Sequence, residues 1–414
     1  MKIVVILEGM SLNIARFIGN KLRTAGNSQF SGVVTKIAIV SVAFSVMVLV
    51  LSFSILEGFK TNVKNNIVSF ASHIQVSKFD INDNFENVPV SKVLKSYFDT
   101  IPGVDKVQVY GIGTGILKTD VEVHGVVFKG VDKDFYEKKF INNIVAGHMP
   151  SIGSPKTTTE VLISKLLSEK LKINLGDETI IYFITDRPKI RKLKIVGIYE
   201  TGMTEFDDVF LIGDIALLRD INKWSDSLVT GFEIFVKDFD GINEAGNRVY
   251  EAMPNDMQTE VITEKYIQIF DWFKVLDLNV VIFITIIVSV AGFNIVSTIV
   301  VMIMERTSMI GVLKALGASN TFIGNVFFHY GLNILYKGLF WGNAIGLMIC
   351  FIQFYFKLIP LDPENYFMTS VPIEWTWVHF FAINAIISFL IVIALFIPLI
   401  FISRVKPIRA IKFS

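Results

Sequence analysis

Four stretches of the chain are long and apolar enough to cross a lipid bilayer, which takes roughly 20 apolar residues. Residues 37–56 and 278–304 carry no charged side chain, and residues 327–356 are interrupted only by Lys337. The fourth stretch covers residues 378–403. The pattern predicts four transmembrane helices, which would put both chain termini on one side of the membrane.

Residues 57–277, between the first two stretches, have the mixed pattern of a folded α/β domain. Short alternating or β-branched runs are typical of strands, and they cover residues 72–76, 107–110, 121–128, 178–184, 192–199 and 231–236. Helical patterns cover residues 159–171 and 241–253, and residues 263–279 predict a helix that continues unbroken into the second span. The predicted fold class is an integral membrane α-helical protein with four transmembrane helices and a large mixed α/β domain between the first and second spans.

Basic residues near the span ends predict the orientation, because loops rich in Lys and Arg are retained in the cytoplasm. They lie before the first span, between the second and third, and after the fourth: Lys2, Arg16, Lys21, Arg23 and Lys36; Arg306 and Lys314; Arg404, Lys406, Arg409 and Lys412. The loop at residues 357–377 is mainly acidic instead. Both termini are therefore predicted to be cytoplasmic, with residues 57–277 and 357–377 on the other side.

The remaining segments are short and cytoplasmic in this scheme. Within residues 1–36, residues 12–22 predict an amphipathic segment on the membrane surface, with a disordered lead-in as the alternative. Either Met1 or Met10 fits as the first residue. Residues 305–326 form a connection between the second and third spans, and residues 404–414 form a tail.

The composition fits a membrane protein. Hydrophobic residues make up 52% of the chain and charged residues 19%, against about 25% charged in ordinary soluble domains. The net charge of +1 gives no indication of a nucleic-acid partner. The single cysteine, Cys350, falls within the third predicted span, so no disulfide within the chain is expected to stabilise the α/β domain.

Motifs for catalysis and for nucleotide or metal binding are missing from the sequence. It contains no Gly-Lys dipeptide, so it has no phosphate-binding loop of the G-x-x-x-x-G-K-[ST] kind. It contains no H-E-x-x-H, and its histidines are scattered without metal-ligand spacing: His73, His124, His148, His329 and His379. We expect no enzyme activity and no cofactor in this chain, so the energy for any work has to come from another chain.

Residues 293–318 have the most distinctive local pattern, because an apolar helix runs directly into a short amphipathic segment. The apolar positions there repeat at helical spacing and the charged ones fall off that stripe: Met309, Val312, Leu313 and Leu316 against Arg306 and Lys314. Gly317 supplies a helix stop, and Asn320 or Thr321 can cap the next helix. Two interpretations are open: a hairpin whose basic residues only fix the topology, or a surface that receives force from a partner.

The same block resembles a known family. It reads GFNIVSTIVVMIMERTSMIGVLKALGAS and is similar to the signature of FtsX-like permeases of ABC transporters, most closely those of the lipoprotein-releasing system. The start of the chain resembles the family's first span and the turn that follows it, here Glu57-Gly58-Phe59. Four further segments are similar to a MacB-like periplasmic core: GVVFKGVDKDF, IVAGHMP, TEVLISKLLSEKLKINLGDE and KIVGIYETGMTEFDDVFL. With the Pro-x-x-Ala-Ile ending at residues 407–411, the resemblance covers almost the whole chain in the family's order.

The resemblance implies an energy source for the chain and a set of partner proteins. In this family the segment after the second span is a coupling helix that sits in a cleft of a separate ATPase subunit, which binds ATP and Mg²⁺. The residues implied here are Glu305, Arg306, Met309, Ile310, Leu313, Lys314, Leu316 and Gly317. The implied protein lies in the inner membrane with a periplasmic α/β domain. Its implied partners are the ATPase, a second permease subunit that is either a copy of itself or a sister protein, a lipoprotein substrate and membrane lipids.

One departure from the family concerns a periplasmic lipoprotein carrier as a further partner. In the permease that docks this carrier, a long loop interrupts the periplasmic domain. Only residues 184–191, ITDRPKIR, occupy the corresponding position here. Whether the carrier docks on this subunit or on its partner is therefore left open.

A lipid-anchored cargo needs an apolar cavity for its acyl chains. Six residues of the first two spans are predicted to line it, with plain helix packing as the alternative: Val42, Val46, Met47, Val50, Phe293 and Val296. Asn294 and Ser297 are expected to form hydrogen bonds between helices. Lys337 either has a function inside the membrane or extends to the lipid headgroups.

The predicted function is extraction of lipoproteins from the outer leaflet of the inner membrane for transfer towards the outer membrane. In this hypothesis, closure of the ATPase pushes the coupling helix and squeezes the cavity. The alternatives are mechanical signalling to a periplasmic cell-wall hydrolase, as in the cell-division relatives of the family, or export of another amphiphile. The division relatives have a much smaller external domain than residues 57–277, which favours transport.

Overall fold

Four long helices dominate the computed structural model, which describes residues 29–79, 88–119, 122–154, 157–185, 187–362, 366 and 368–404. Each of the four contains a stretch long and apolar enough to cross a bilayer. A mixed α/β domain follows the first of them, so the predicted fold class is confirmed. Most of the predicted N-terminal segment, and the tail beyond Arg404, lie outside the described residues.

The helices and strands follow one another along the whole described chain. The helices are α1 Gln29–Ala71, α2 Leu94–Phe98, α3 Glu137–Phe140, α4 Lys165–Leu171, α5 Thr204–Asp207, α6 Ile215–Asn222, α7 Ile242–Ala252, α8 Ile262–Lys265, α9 Ile267–Glu305, α10 Thr307–Ala315, α11 Asn320–Phe356 and α12 Trp377–Arg404. The strands are β1 Ile74–Lys78, β2 Val90–Ser91, β3 Val104–Lys118, β4 Val123–Val131, β5 Ile144–Gly147, β6 Glu160–Ser164, β7 Glu178–Phe183, β8 Lys189–Tyr199, β9 Phe210–Asp214, β10 Leu228–Val229, β11 Gly231–Val236 and β12 Met257–Val261.

Two compact units divide the described chain between them. The membrane unit takes the described residues of Met1–Phe59, Phe273–Ile359 and Val371–Ser414. The α/β domain takes those of Lys60–Trp272 and Pro360–Ser370.

Helix α1 passes through Glu57-Gly58-Phe59 without a break and ends only at Ala71. The turn expected at Glu57-Gly58-Phe59 is therefore wrong. Gly58 is buried, and a Cβ atom there would lie 2.8 Å from the carbonyl oxygen of Pro372. The glycine permits the close approach of a neighbouring chain segment instead of reversing the chain.

Glycines at every fourth position of α11 let α1 pack closely against it. A Cβ atom on Gly342, for example, would lie 2.6 Å from the Val46 side chain. The contacting pairs are Gly338 with Val42, Gly342 with Val46, and Gly346 with Val50. Small residues at this spacing allow membrane helices to approach each other, since no side chain separates the backbones. The three valines are buried at this contact and belong to the bundle core.

Polar side chains also join the helices of the membrane unit. The Asn294 side-chain amide donates to the Ser41 hydroxyl at 2.6 Å, which confirms the hydrogen bond between helices predicted for Asn294. Asn343 and Asn384 exchange hydrogen bonds between α11 and α12 at 2.7 and 3.2 Å. Such bonds fix which residues of neighbouring helices face each other, because their donors find few other partners in lipid.

The α/β domain is built on a ten-stranded sheet in the order β12-β1-β11-β3-β4-β9-β6-β8-β5, with β7 paired to β3 and β8. Its pairs are antiparallel except β4 with β9 and β6 with β8. Each of the six predicted strands falls on an observed strand. One apolar core of the domain joins helices α4 and α6 to the sheet, and it includes Leu167, Leu171, Leu217, Leu218, Phe128 and Phe183.

Two helix predictions in this domain are partly wrong. Residues 159–171 form strand β6 followed by α4, and the Ser164 hydroxyl caps the helix by accepting from the Leu167 amide at 3.0 Å. Residues 263–279 do not form one helix, because Tyr266 separates α8 from α9 with φ −110° and ψ 39°. The ring of Tyr266 packs edge-on against Phe206, with the ring centres 6.1 Å apart.

A buried ion pair ties the end of α1 to the sheet within the α/β domain. Lys129 Nζ lies 2.6 Å from Glu233 Oε1, and the two side chains are 5% and 1% exposed. The Gln108 side-chain amide donates to the other carboxylate oxygen at 2.7 Å. Lys129 also donates to the carbonyl oxygen of Phe70 in the last turn of α1, where the helix dipole favours a cation.

His73 makes the stability of the α/β domain depend on pH. Burial, with the charges of Lys139 and Lys64, lowers the pKa of His73 to about 4, and its Nδ1 accepts a hydrogen bond from the Val236 amide at 3.0 Å. The neutral ring is therefore the folded form. As the pH falls below 6.5, the unfolded chain binds a proton at this position before the folded chain does, so this contribution to stability is lost between pH 6.5 and 4.

We expect His73→Asn to remove that contribution, because its amide oxygen can still accept from Val236 but does not titrate. Asp207 changes stability in the opposite direction, because burial raises its pKa to about 6 and the folded state gains stability as the pH falls through that value. The effect of His73 is therefore measured as the difference in unfolding free energy between variant and parent protein, in which the Asp207 contribution cancels. It should shift in favour of the variant by about 2 kcal/mol from pH 7 to pH 5. A constant difference in denaturant titrations at the two pH values would contradict the assignment.

Candidate coupling site

Helices α9 and α10 are joined by a single non-helical residue, Arg306, with φ −99° and ψ 18°. Backbone hydrogen bonds continue on both sides of it, from the Arg306 amide to the Met302 carbonyl at 3.0 Å and from the Ile310 amide to the Arg306 carbonyl at 2.9 Å. The Thr307 hydroxyl donates to the Met304 carbonyl at 2.6 Å and closes the end of α9. The second long helix therefore passes into α10 over a one-residue bend.

Helix α10 ends in a Schellman motif. The Ala318 amide donates to the Leu313 carbonyl at 2.9 Å, and the Gly317 amide donates to the Lys314 carbonyl at 3.0 Å. Gly317 has φ +91°, and no atom lies within 4 Å of the position that a Cβ would take. The left-handed backbone conformation, and not a lack of space, therefore favours glycine at this helix stop.

The next helix, α11, starts immediately after this stop. The Ser319 hydroxyl is its cap and accepts from the Phe322 amide at 3.1 Å. The cap predicted at Asn320 or Thr321 is thus misplaced by one or two positions. The short connections before and after α10 therefore fix its position relative to α9 and α11.

The residues predicted to couple to an ATPase do not share one surface. Ile310 has no exposed surface and lies in the core of the membrane unit, so it anchors α10 and is not available as a contact residue. Met309 and Leu313 are half-buried, Met309 against Val326 and Leu313 against the bundle core. Leu316, by contrast, is 80% exposed.

The exposed side of α10 and its flanks forms a separate surface, which we call the coupling face: Glu305, Ser308, Val312, Ala315 and Leu316. Ser308, Val312 and Ala315 are three, four or seven positions apart, which places them on one side of α10. Leu316 follows Val312 by four positions, and Glu305 precedes Ser308 by three. Val312 is 48% exposed, so two large apolar side chains lie on this face. The coupling residues predicted from the sequence do not include Ser308, Val312 or Ala315. Val312 lies in the predicted apolar stripe, and the helical repeat places Ser308 and Ala315 beside it. An exposed apolar patch of this kind fits contact with another protein.

Charged residues lie on and beside the coupling face. Glu305, at its start, is exposed, whereas the neighbouring Arg306 and Lys314 are half-buried. Burial lowers the pKa of the Lys314 ammonium. A protein bound at this face would therefore contact apolar side chains with positive and negative side chains beside them. The coupling role of these residues stays a prediction.

The six residues predicted to line an apolar cavity are not brought together. Val42, Val46 and Val50 are buried against the glycines of α11. The prediction for Val42 and Val46 is therefore corrected to helix packing, whereas Val50 also lines an apolar cavity of the membrane unit. Phe293 is 72% exposed, and Met47 and Val296 are half-buried. The glycine at every fourth position of α11 was the sequence signal that could have revealed this packing.

Other predicted features lie apart from α10. Lys337 is half-buried in α11 and has an interaction partner, and its role stays a prediction. Strands β7 and β8 form a hairpin in which Tyr182 pairs with Ile190, so only the short stretch from Ile184 to Pro188 connects them. Within the described part of the chain, no three His, Cys, Asp or Glu side chains lie close enough together to hold a metal ion.

These features define an integral membrane protein in which a large α/β domain is inserted between the first and second membrane helices and a short surface helix follows the second. Residues 35–249 match the MacB-like periplasmic core domain, and residues 281–407 match the FtsX-like permease C-terminal domain. The chain belongs to the family of FtsX-like permeases with a MacB-like core.

Relatives of known name match over most of their length. The lipoprotein-releasing system transmembrane protein LolC of Buchnera aphidicola is 22% identical over 395 residues, which cover 92% of this chain and 94% of the relative. The transmembrane protein LolE of the same system in Haemophilus influenzae is 21% identical over 366 residues, covering 83% and 86%. Among solved structures, the periplasmic region of MacB from Actinobacillus actinomycetemcomitans matches 50% of this chain and 96% of its own at 10% identity, with a TM-score of 0.33.

Proposed function

We propose that this chain is the permease subunit of an ABC transporter that extracts lipoproteins from the outer leaflet of the inner membrane, driven by a separate ATPase. The observation that carries the proposal is the coupling face, an exposed apolar surface joined to the second long helix through the single residue Arg306. The names of the LolC and LolE relatives supply the cargo class.

The energy source in this proposal is ATP bound with Mg²⁺ in the partner subunit, because the present sequence has no phosphate-binding loop. Arg306 and Lys314 favour the cytoplasm for the α10 end of the bundle. Both termini then lie in the cytoplasm and the α/β domain in the periplasm. This orientation puts the coupling face on the side of the membrane where ATP is available.

The geometry of α10 suits the transfer of force. A push on Leu316 and Val312 is transmitted to the bundle through Ile310, which is buried in its core. The Schellman motif at Gly317 and the bend at Arg306 make α10 a short, separate helix that connects two long helices directly. Closure of the ATPase would therefore move the second and third long helices together.

Cargo contact is assigned to the exposed side of the second long helix. Phe293 is exposed there and Val296 is half-buried, so both remain available to acyl chains or to a second permease subunit. That subunit is either a second copy of this chain or a sister protein, since relatives carry the names of both LolC and LolE. The short β7–β8 hairpin offers little surface for a periplasmic carrier, so carrier docking belongs elsewhere.

Depletion of the protein in its own cells tests the cargo. We expect outer-membrane lipoproteins to accumulate in the inner membrane, because their extraction would stop while their synthesis continues. Fractionation of the two membranes followed by immunoblotting measures this. Normal lipoprotein sorting together with a division defect would contradict the proposal and favour mechanical signalling to a cell-wall hydrolase.

A further inference from the structure

A cavity of about 690 Å³ lies in the membrane unit, apart from the coupling face. Helices α1, α11 and α12 supply its walls, and these are mainly apolar: Phe53, Leu347, Met348, Phe351, Phe380 and Ile383. The volume falls within the roughly 300–1,000 Å³ of small-molecule sites. Its contents are therefore expected to be an apolar chain of substantial size.

Two carboxylates, Glu57 and Glu374, line the same cavity, and neither Lys nor Arg is among its lining residues. Both glutamates are half-buried. Among the described residues, neither forms a salt bridge. A partly buried carboxylate is unfavourable when no cation lies beside it. A ligand with a positive charge would therefore be stabilised in this cavity.

The local backbone positions these carboxylates together. The Glu374 amide donates to the Ser54 carbonyl of α1 at 3.1 Å, and the missing side chain of Gly58 leaves room for Pro372. The segment before α12 is thereby held against the turn of α1 that bears Glu57. Trp375 and Trp377 also line the cavity, and tryptophan is enriched at the depth of lipid headgroups.

We propose that this cavity binds a phosphatidylethanolamine molecule. An alkyl chain occupies the apolar walls, and the primary ammonium of the headgroup donates hydrogen bonds to Glu57 and Glu374. An ammonium offers both the positive charge and several donors to two carboxylates. Both headgroups carry a negative phosphate, but phosphatidylglycerol adds only neutral hydroxyls, which supply no positive charge to the two carboxylates. The proposal is independent of lipoprotein as the cargo.

Photolabelling of the full chain in lipid nanodiscs tests this binding. Phosphatidylethanolamine and phosphatidylglycerol probes, each with the same diazirine acyl chain, are compared by mass spectrometry of the peptides that contain Met348 and Phe351. We expect about fivefold more labelling of these peptides by the ethanolamine probe, as for an ion pair near a membrane surface. The double variant Glu57→Gln/Glu374→Gln should make the two probes equal, while Glu305→Gln, at the other end of the bundle, should retain the preference.

A second variant tests the same proposal in case the double variant does not fold. Ala344→Trp fills the cavity but leaves both carboxylates in place, so it should lower ethanolamine labelling of these peptides at least about threefold. Equal labelling by the two probes in the parent protein would overturn the proposal. Retention of the preference in the double variant, or unchanged labelling in Ala344→Trp, would overturn it as well.

Discussion

Replacing both Val312 and Leu316 by Asp is expected to abolish stable association with the ATPase. Both side chains lie on the coupling face, and neither belongs to the core of the membrane unit. Contacts buried at the centre of an interface contribute about 2 kcal/mol or more each, so losing two of them should weaken binding roughly 100- to 1,000-fold. Co-purification of the ATPase with the tagged permease measures the effect.

The matched control is Leu358→Asp, which places the same acidic group at an exposed apolar position outside α10. It should leave association unchanged. Undiminished co-purification of the ATPase with the Val312→Asp/Leu316→Asp protein would remove α10 as the contact. The buried position of Ile310 gives a further contrast, because Ile310→Ala should lower stability while leaving the coupling face intact.

Lys129→Met should destabilise the α/β domain by about 3–5 kcal/mol, because it leaves the Glu233 carboxylate buried without its cation. The remaining donors to Glu233 are the amides of Gln108 and Gln75, at 2.7 and 3.3 Å. Amides do not neutralise the charge. Denaturant unfolding of the full chain, followed by protease resistance of the domain, measures the loss.

Two further variants separate the ion pair from a general effect of losing a lysine. Adding Glu233→Gln to Lys129→Met removes the unpaired charge and should restore most of the stability. Lys192→Met breaks the exposed pair with Glu178, whose side chains are 66% and 53% exposed, and should cost less than about 1 kcal/mol. Equal losses at Lys129 and Lys192 would show that burial of the pair is not the cause.

The membrane helices could be predicted because bilayer thickness imposes a length on apolar stretches whatever their packing. The extension of α1 could not. Helix α1 continues past Gly58 to Ala71, and Gly58 accommodates the close approach of Pro372, a contact between residues distant in sequence that an apolar pattern does not reveal. The helix prediction for residues 159–171 failed for a local reason, because the cap at Ser164 divides the segment into a strand and a helix.

The coupling face was only half predictable. Periodicity identifies which residues share a side of α10, but this helix is apolar on two sides, and the sequence does not say which one meets the bundle. Ile310 is buried while Val312 and Leu316 are exposed, and only the packing of α10 against the start of α11 decides between them. The cavity prediction failed at Val42 and Val46, because it considered these residues without their glycine partners on α11.

In the proposed function, ATP hydrolysis in a separate subunit moves the coupling face and so drives release of a lipid-anchored protein. Proteoliposomes that contain this permease, its ATPase and an acylated lipoprotein test it through the lipoprotein released into the soluble fraction. We expect release with ATP, none with a non-hydrolysable analogue, and none with Val312→Asp/Leu316→Asp. Equal release without ATP, or continued ATP-driven release by that double variant, would contradict it.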